Sequence, residues 1–148
     1  MIDQLALARH EAGHAVVANV LGLRTVFLSI RHDSRSGGRW SFPPFPPSQA
    51  RAFICAALAG RIAQEHFGHP LEPGCGDIDR EFANSSFDHD IKAPDRAAYF
   101  AAREAEVRRL VADNAKVIDL VAQALVVCEQ LHGRVVARLI ERCTPENV

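Results

Sequence analysis

Apolar residues recur at helical spacing over most of the chain. Leu5 to Leu21 predict one helix whose apolar members, Leu7, Ala8, Ala12, Ala15, Val16, Val17, Val20 and Leu21, are mostly small, so it is expected to be mostly buried. Gly22 is a stop signal. Arg24 to Arg31 then alternate, with Val26, Leu28 and Ile30 on one side, as in a half-buried strand. His32 to Gly38, a run of Asp, Ser and Gly, predict a turn. Arg39 to Phe42 return as a second strand, making a small hairpin. Pro43, Pro44, Pro46 and Pro47 end it, because proline cannot donate to a ladder.

Ser48 is the expected N-cap of the next helix, Gln49 to about Phe67. Phe53, Ile54, Ala57, Leu58 and Ile62 form its core face. Ala56, Ala59 and Gly60 permit close packing, for which the first helix is the expected neighbour. A Gly- and Pro-rich loop at 68–76 leads into a short helix over Asp77 to Ser85, with Ile78, Phe82 and Ala83 facing inward. Residues 86–94 are polar and irregular. From Asp95, a capping residue, a long helix is expected to about Leu131, with Asn114 as the point where it would divide into two. His132-Gly133 makes a break, and Arg134 to Cys143 predict a final amphipathic helix. The expected fold is α+β, mainly helical, as one domain over 1–148 with a small hairpin or sheet beside the first helix.

Composition narrows the function classes. A hydrophobic content of 48% suffices for a real core. The formal net charge is −1 and no run of Lys or Arg marks a nucleic-acid face. No window is long enough and free enough of charge to be a membrane segment, and the first apolar stretch carries His10 and Glu11, unlike a signal peptide. Cys55, Cys75, Cys128 and Cys143 are scattered without a C-x-x-C pair, which predicts reduced thiols and a cytoplasmic protein.

The chemistry sits in His10-Glu11-Ala12-Gly13-His14. Two histidines four apart project from one face of a helix and can supply half the coordination sphere of a zinc ion. Glu11 lies beside them without being a ligand, placed as the general base that takes a proton from water attacking a carbonyl. A catalytic zinc needs a third protein ligand. Glu65, His66, His69, Asp77, Asp79, Asp88, His89 and Asp90 carry suitable groups, and Asp77, Glu65 and His89 form the shortlist. Each has a plainer reading: Glu65 as a helix-surface charge, His89 as an exposed loop histidine, Asp77 as a helix cap after Gly76.

HEAGHAVVA at 10–18 resembles the zinc helix of the FtsH-type peptidase domain, from the AAA+ zinc metalloproteases of bacterial, mitochondrial and chloroplast membranes. LAGRIAQE at 58–65 resembles that family's Ala/Gly-Gly-Arg-x-Ala-Glu-Glu segment. GCGDIDREFA at 74–83 resembles its Gly-Ala-x-x-Asp-Leu-x-x-Ala segment, whose aspartate is the third zinc ligand, and ALVVCEQLHGRVV at 124–136 resembles its closing helix and turn. The resemblance spans nearly the whole chain and places the third-ligand role on Asp77. Two departures stand out. No Gly-x-x-x-x-Gly-Lys-Ser/Thr phosphate loop is present, and the Glu-Glu pair is replaced by Gln64-Glu65.

These readings imply a stand-alone zinc metalloendopeptidase, with His10, His14 and Asp77 on the metal and Glu11 as base. Without a motor of its own it is expected to cut unfolded or flexible protein segments, or to depend on a separate ATPase or unfoldase. An exposed strand edge is the simplest clamp for an extended peptide. Arg39, Trp40, Ser41 and Phe42 are the residues expected to form it, with Trp40 and Phe42 on one face. The alternative for this hairpin is a cover for the core, with Trp40 as packing. The alternative for the chain is a non-catalytic, zinc-stabilised binding or adaptor module, which a closed fourth ligand such as Cys75 would favour.

Overall fold

Asp3 starts the first helix: its carboxylate accepts from the N–H groups of Leu5 (2.9 Å) and Ala6 (3.3 Å), capping α1 over Gln4–Val20. The computed structural model describes residues 3–31 and 38–143. Gly22, at φ +85°, ends α1 as expected. Ala8, Ala12, Ala15, Val16 and Val17 have no exposed surface, so α1 is buried on several sides and is the central helix.

Two further helices sandwich it, α2 (Ala50–His66) and α5 (Ala115–Cys128). Small residues set the α1–α2 distance. A Cβ on Gly13 would stand 2.7 Å from the Ala63 Cβ and 2.8 Å from the Ala59 carbonyl oxygen, so only glycine permits this approach. From α5, Val117, Ile118, Val121, Ala122 and Leu125 complete the core around α1. The preceding helix, α4 (Arg96–Asp113), packs on α2, and its N-cap Asp95 accepts from Ala98 N–H at 3.0 Å. The long helical stretch divides at Asn114, whose side-chain amide donates to the Leu110 carbonyl at 2.8 Å.

A three-stranded antiparallel sheet lies beside this core. It comprises β1 (Phe27–Ser29), β2 (Arg39–Ser41) and β3 (Gln130–His132) in the order β2-β1-β3. The hairpin is present, but its strands are shorter than the alternation predicts. Leu28 and Ile30 are buried whereas Val26 is exposed: its N–H turns to the Ser41 carbonyl and its own carbonyl to Gly133 N–H. Of the turn expected over 32–38, positions 32–37 lie outside the described residues. β3 takes Gln130 and Leu131, expected as the end of the long helix, together with His132 of the expected break, and α6 (Gly133–Cys143) follows it directly.

Two other expectations give way. Ser48 does not cap α2, because a 3-10 turn over Pro47–Gln49 leads into the helix with no side-chain cap. Ile78 and Phe82 do not face inward. In α3 (Asp77–Ser86) the buried residues are Ala83 and Ser86, while Ile78 is 64% and Phe82 53% exposed. A single π-helical turn, Phe87–Ile91, continues α3 where irregular chain was expected. All four cysteines are free thiols, and no helix among the described residues is long and apolar enough to cross a membrane.

Candidate metal centre and cleft

His10 and His14, one turn apart on α1, are both buried, with ring centroids 4.8 Å apart. Their Nδ1 atoms are committed elsewhere. His14 Nδ1 donates to the Ala56 carbonyl at 2.7 Å and His10 Nδ1 to Gln64 Oε1 at 2.5 Å, both acceptors lying on α2. Because these oxygens can only accept, each imidazole carries a proton on Nδ1 and presents Nε2 over Gly60, toward α3. There the two Nε2 atoms meet one carboxylate oxygen: Asp79 Oδ2 lies 3.0 Å from His10 and 3.3 Å from His14.

Asp79, not Asp77, is the carboxylate that the structure brings to the histidines. Residues two apart on a helix point to nearly opposite sides. Asp79 shares the face of Ala83, four residues on, which is packed into the core; Asp77 opens α3 as an exposed first-turn acid. The Asp-Leu-x-x-Ala segment of the resemblance divides between the two: its Asp-Leu step matches Asp77-Ile78, and its Asp-to-Ala interval matches Asp79 and Ala83. Glu65 and His89 also lie apart. Glu65 pairs with Arg108 (2.8 Å) and Arg61 (3.3 Å), and exposed His89 donates from Nδ1 to the Ser85 carbonyl at 2.8 Å.

Burial and charge oppose one another in this group. Burial drives the His10 pKa down, but hydrogen bonds with Asp79 and Cys75 and the charges of Glu11 and Asp79 outweigh it and raise it well above the ordinary value. Burial pushes Asp79 up, and the charges and hydrogen bonds of the two histidines more than reverse that, holding it well below the usual carboxylate range. Glu11 is raised, by burial first, against the pull of both histidines. Asp79 is thus held as an anion facing two ring nitrogens.

A metal ion fits this group on two counts. One donor atom from each of His10, His14 and Asp79 lies within 4.8 Å of the others, and two imidazoles with one carboxylate are a donor set that suits zinc. Gly60 leaves the space: a Cβ there would stand 2.5 Å from both Nε2 atoms. Among the described residues the group has three members, and Cys75 is not one of them. Its thiol instead donates to Gln64 Oε1 at 3.2 Å, the same oxygen that orients His10.

The group floors a cleft of about 550 Å³. Glu11 lines it as well, close under Gly38, where a Cβ would come within 2.8 Å of Glu11 Oε1. Arg39, Trp40, Ser41 and Phe42 all border the same cleft. The Trp40 ring stacks on His14, with centroids 5.1 Å apart and planes 12° apart, and its indole N–H donates to Thr25 Oγ1 at 3.1 Å. Trp40 therefore both packs and faces the cleft. Gln64, Gly60 and Gly38 are site residues that sequence reasoning did not single out for these roles, because each acts only through a partner distant in sequence. No protein-family model matches the chain, and no curated protein matches it either.

Proposed function

We propose that this protein is a zinc-dependent endopeptidase of the FtsH-type peptidase kind, acting on unfolded or flexible protein segments without ATP of its own. The observation that carries the reading is the convergence of His10 Nε2, His14 Nε2 and Asp79 Oδ2, beside Glu11, on the floor of an open cleft. Zinc held by His10, His14 and Asp79 would supply Lewis acidity, polarising a carbonyl and acidifying a water. Gln64 and the Ala56 carbonyl hold the imidazoles in the tautomer and orientation that ligation requires. Glu11 is placed to take a proton from the attacking water and pass it to the leaving amine. β2 is an edge strand beside this floor, so an extended peptide can add to it through backbone hydrogen bonds that read no side chain. Four unpaired thiols suit a reducing compartment such as the cytoplasm.

The test separates metal, chemistry and fold. The purified protein should hold about one zinc per chain and cleave denatured casein without ATP. Asp79→Ala should lose most of the zinc, while Asp77→Ala keeps it. Glu11→Gln should retain zinc and melting temperature but lose activity by about 10²–10⁴-fold, since an amide cannot accept the proton. If the zinc-loaded parent leaves denatured casein intact, the peptidase reading is wrong.

A further inference from the structure

The apolar side chains of α3 are on the wrong side for a packing role. Ile78 and Phe82 are one helical turn apart and more than half exposed, while Ala83 alone makes the apolar contact of α3 with the core. Both line the metal-floored cleft. The cleft also has an aromatic lining: Trp40 lies over His14, Phe42 stands 4.7 Å from Trp40, and Phe53 stands 5.0 Å from Phe42. Besides the two histidines, the charged residues of the described lining are Glu11, Asp79 and Arg39. Glu11 and Asp79 sit on the floor with the imidazoles, Arg39 and Ser41 are the polar members contributed by β2, and α3 contributes the hydrocarbon of Ile78 and Phe82.

We propose that Ile78 and Phe82 form a selectivity wall, and that the cleft takes peptide segments carrying a bulky aliphatic or aromatic side chain next to the metal. This rests on the peptidase reading for the identity of the ligand as a peptide, though not on hydrolysis itself. A peptide added to the β2 edge sends alternate side chains toward one face. One entering the cleft leaves water for contact with Ile78, Phe82 and Trp40, and it covers two side chains that otherwise face solvent. A polar side chain against Ile78 and Phe82 gives up its hydration and meets hydrocarbon in return. The substrate class follows: bulky apolar side chains are buried in folded proteins and presented by unfolded ones, so the wall selects unfolded chains by their composition.

Trp40, the only tryptophan in the chain, reports occupancy of the cleft directly. The experiment uses the zinc-loaded Glu11→Gln protein, which holds peptide without cutting it, and two nine-residue peptides that differ only in a central Phe or Ser. Affinity is measured by calorimetry and location by Trp40 fluorescence. The Phe peptide should bind about tenfold or more tighter, as expected for burying one aromatic side chain, and should shift the Trp40 emission. Ile78→Ser and Phe82→Ser, both at exposed positions, should each cut that preference several-fold and leave zinc content unchanged. Equal affinity for the two peptides, no binding of either, or a preference that survives both substitutions would overturn the proposal. A zinc-loaded parent that discriminates the peptides yet hydrolyses neither leaves the wall standing and removes the peptidase reading. One that hydrolyses both equally well does the reverse.

Discussion

Gly60 carries more of the metal centre than its lack of a side chain suggests. Mid-helix glycine costs about 0.5–1 kcal/mol relative to alanine, so on helix propensity alone Gly60→Ala should stabilise α2. Here the added methyl would stand 2.5 Å from Nε2 of both His10 and His14, forcing the rings off the geometry that Gln64 and Ala56 impose. Zinc affinity should fall by about 10–100-fold or more, the range for disturbing a group that positions a ligand. Competition against a chromophoric chelator measures it, and parent-like affinity would show that the imidazoles do not need this space. At this scale the sequence is legible where chemistry is local. His10, Glu11 and His14 declare themselves because a helix brings positions four apart together. Asp79 was obscured because Asp77 and Asp79 are equivalent as carboxylates, and only the helical phase set by buried Ala83 tells them apart.

The β2 strand has two backbone edges, and the β1–β3 pairing decides which residues use them. Ile30 N–H donates to the Glu129 carbonyl and Gly133 N–H to the Val26 carbonyl, so the groups of Val26, Leu28 and Ile30 that bond β3 alternate with those of Phe27 and Ser29, which turn to β2. Their partners, Ser41 and Arg39, therefore spend their backbone groups in the ladder, and Ser41 also accepts from Val26 N–H at 2.7 Å. Trp40, between them, has the N–H and C=O that point to the open edge. Ser41→Pro should consequently weaken the fold by about 1–3 kcal/mol, the cost of a lost ladder donor and its stranded acceptor. Thermal unfolding reads this, and an unchanged melting temperature would contradict the register. The helices were legible because each repeats its period over many residues. The sheet was only half so: the three residues of β3 are too few to show a period, and they pair with β1 about a hundred positions away, beyond any local pattern. The outward turn of Ile78 and Phe82 was hidden for a related reason. An apolar pair one turn apart has the same spacing whether it meets a core or lines a cleft.

Across the whole molecule, the candidate centre joins α3 to α1, two helices that otherwise hardly touch. α1 supplies both imidazoles, α2 orients them through Gln64 and Ala56, and α3 brings Asp79. α3 has only Ala83 and Ser86 as buried residues and follows a loop with Gly74 and Gly76 at positive φ; it packs on α2, and Arg80 ties it to Glu104 (2.8 Å) and the Phe100 ring of α4, but nothing comparable ties it to α1. A cation bound between α1 and α3 would therefore act as a cross-link between two helices that otherwise meet only through α2. Binding to the folded state alone stabilises by mass action, about 2.7 kcal/mol at a free zinc concentration one hundred times the dissociation constant. For a chain of this size that corresponds to a rise of roughly 5–10 °C in melting temperature. Chelator-stripped protein titrated with zinc should show that rise. Asp79→Ala should lose most of it and Asp77→Ala should keep it, because only Asp79 reaches across to the imidazoles. Hydrogen exchange should show the gain concentrated in α3, with α5 nearly unchanged, since α5 already has a dense apolar contact with α1. A rise of equal size in Asp79→Ala, or protection spread evenly over all helices, would mean that zinc acts elsewhere on the chain and that α3 is not tied to α1 through a metal.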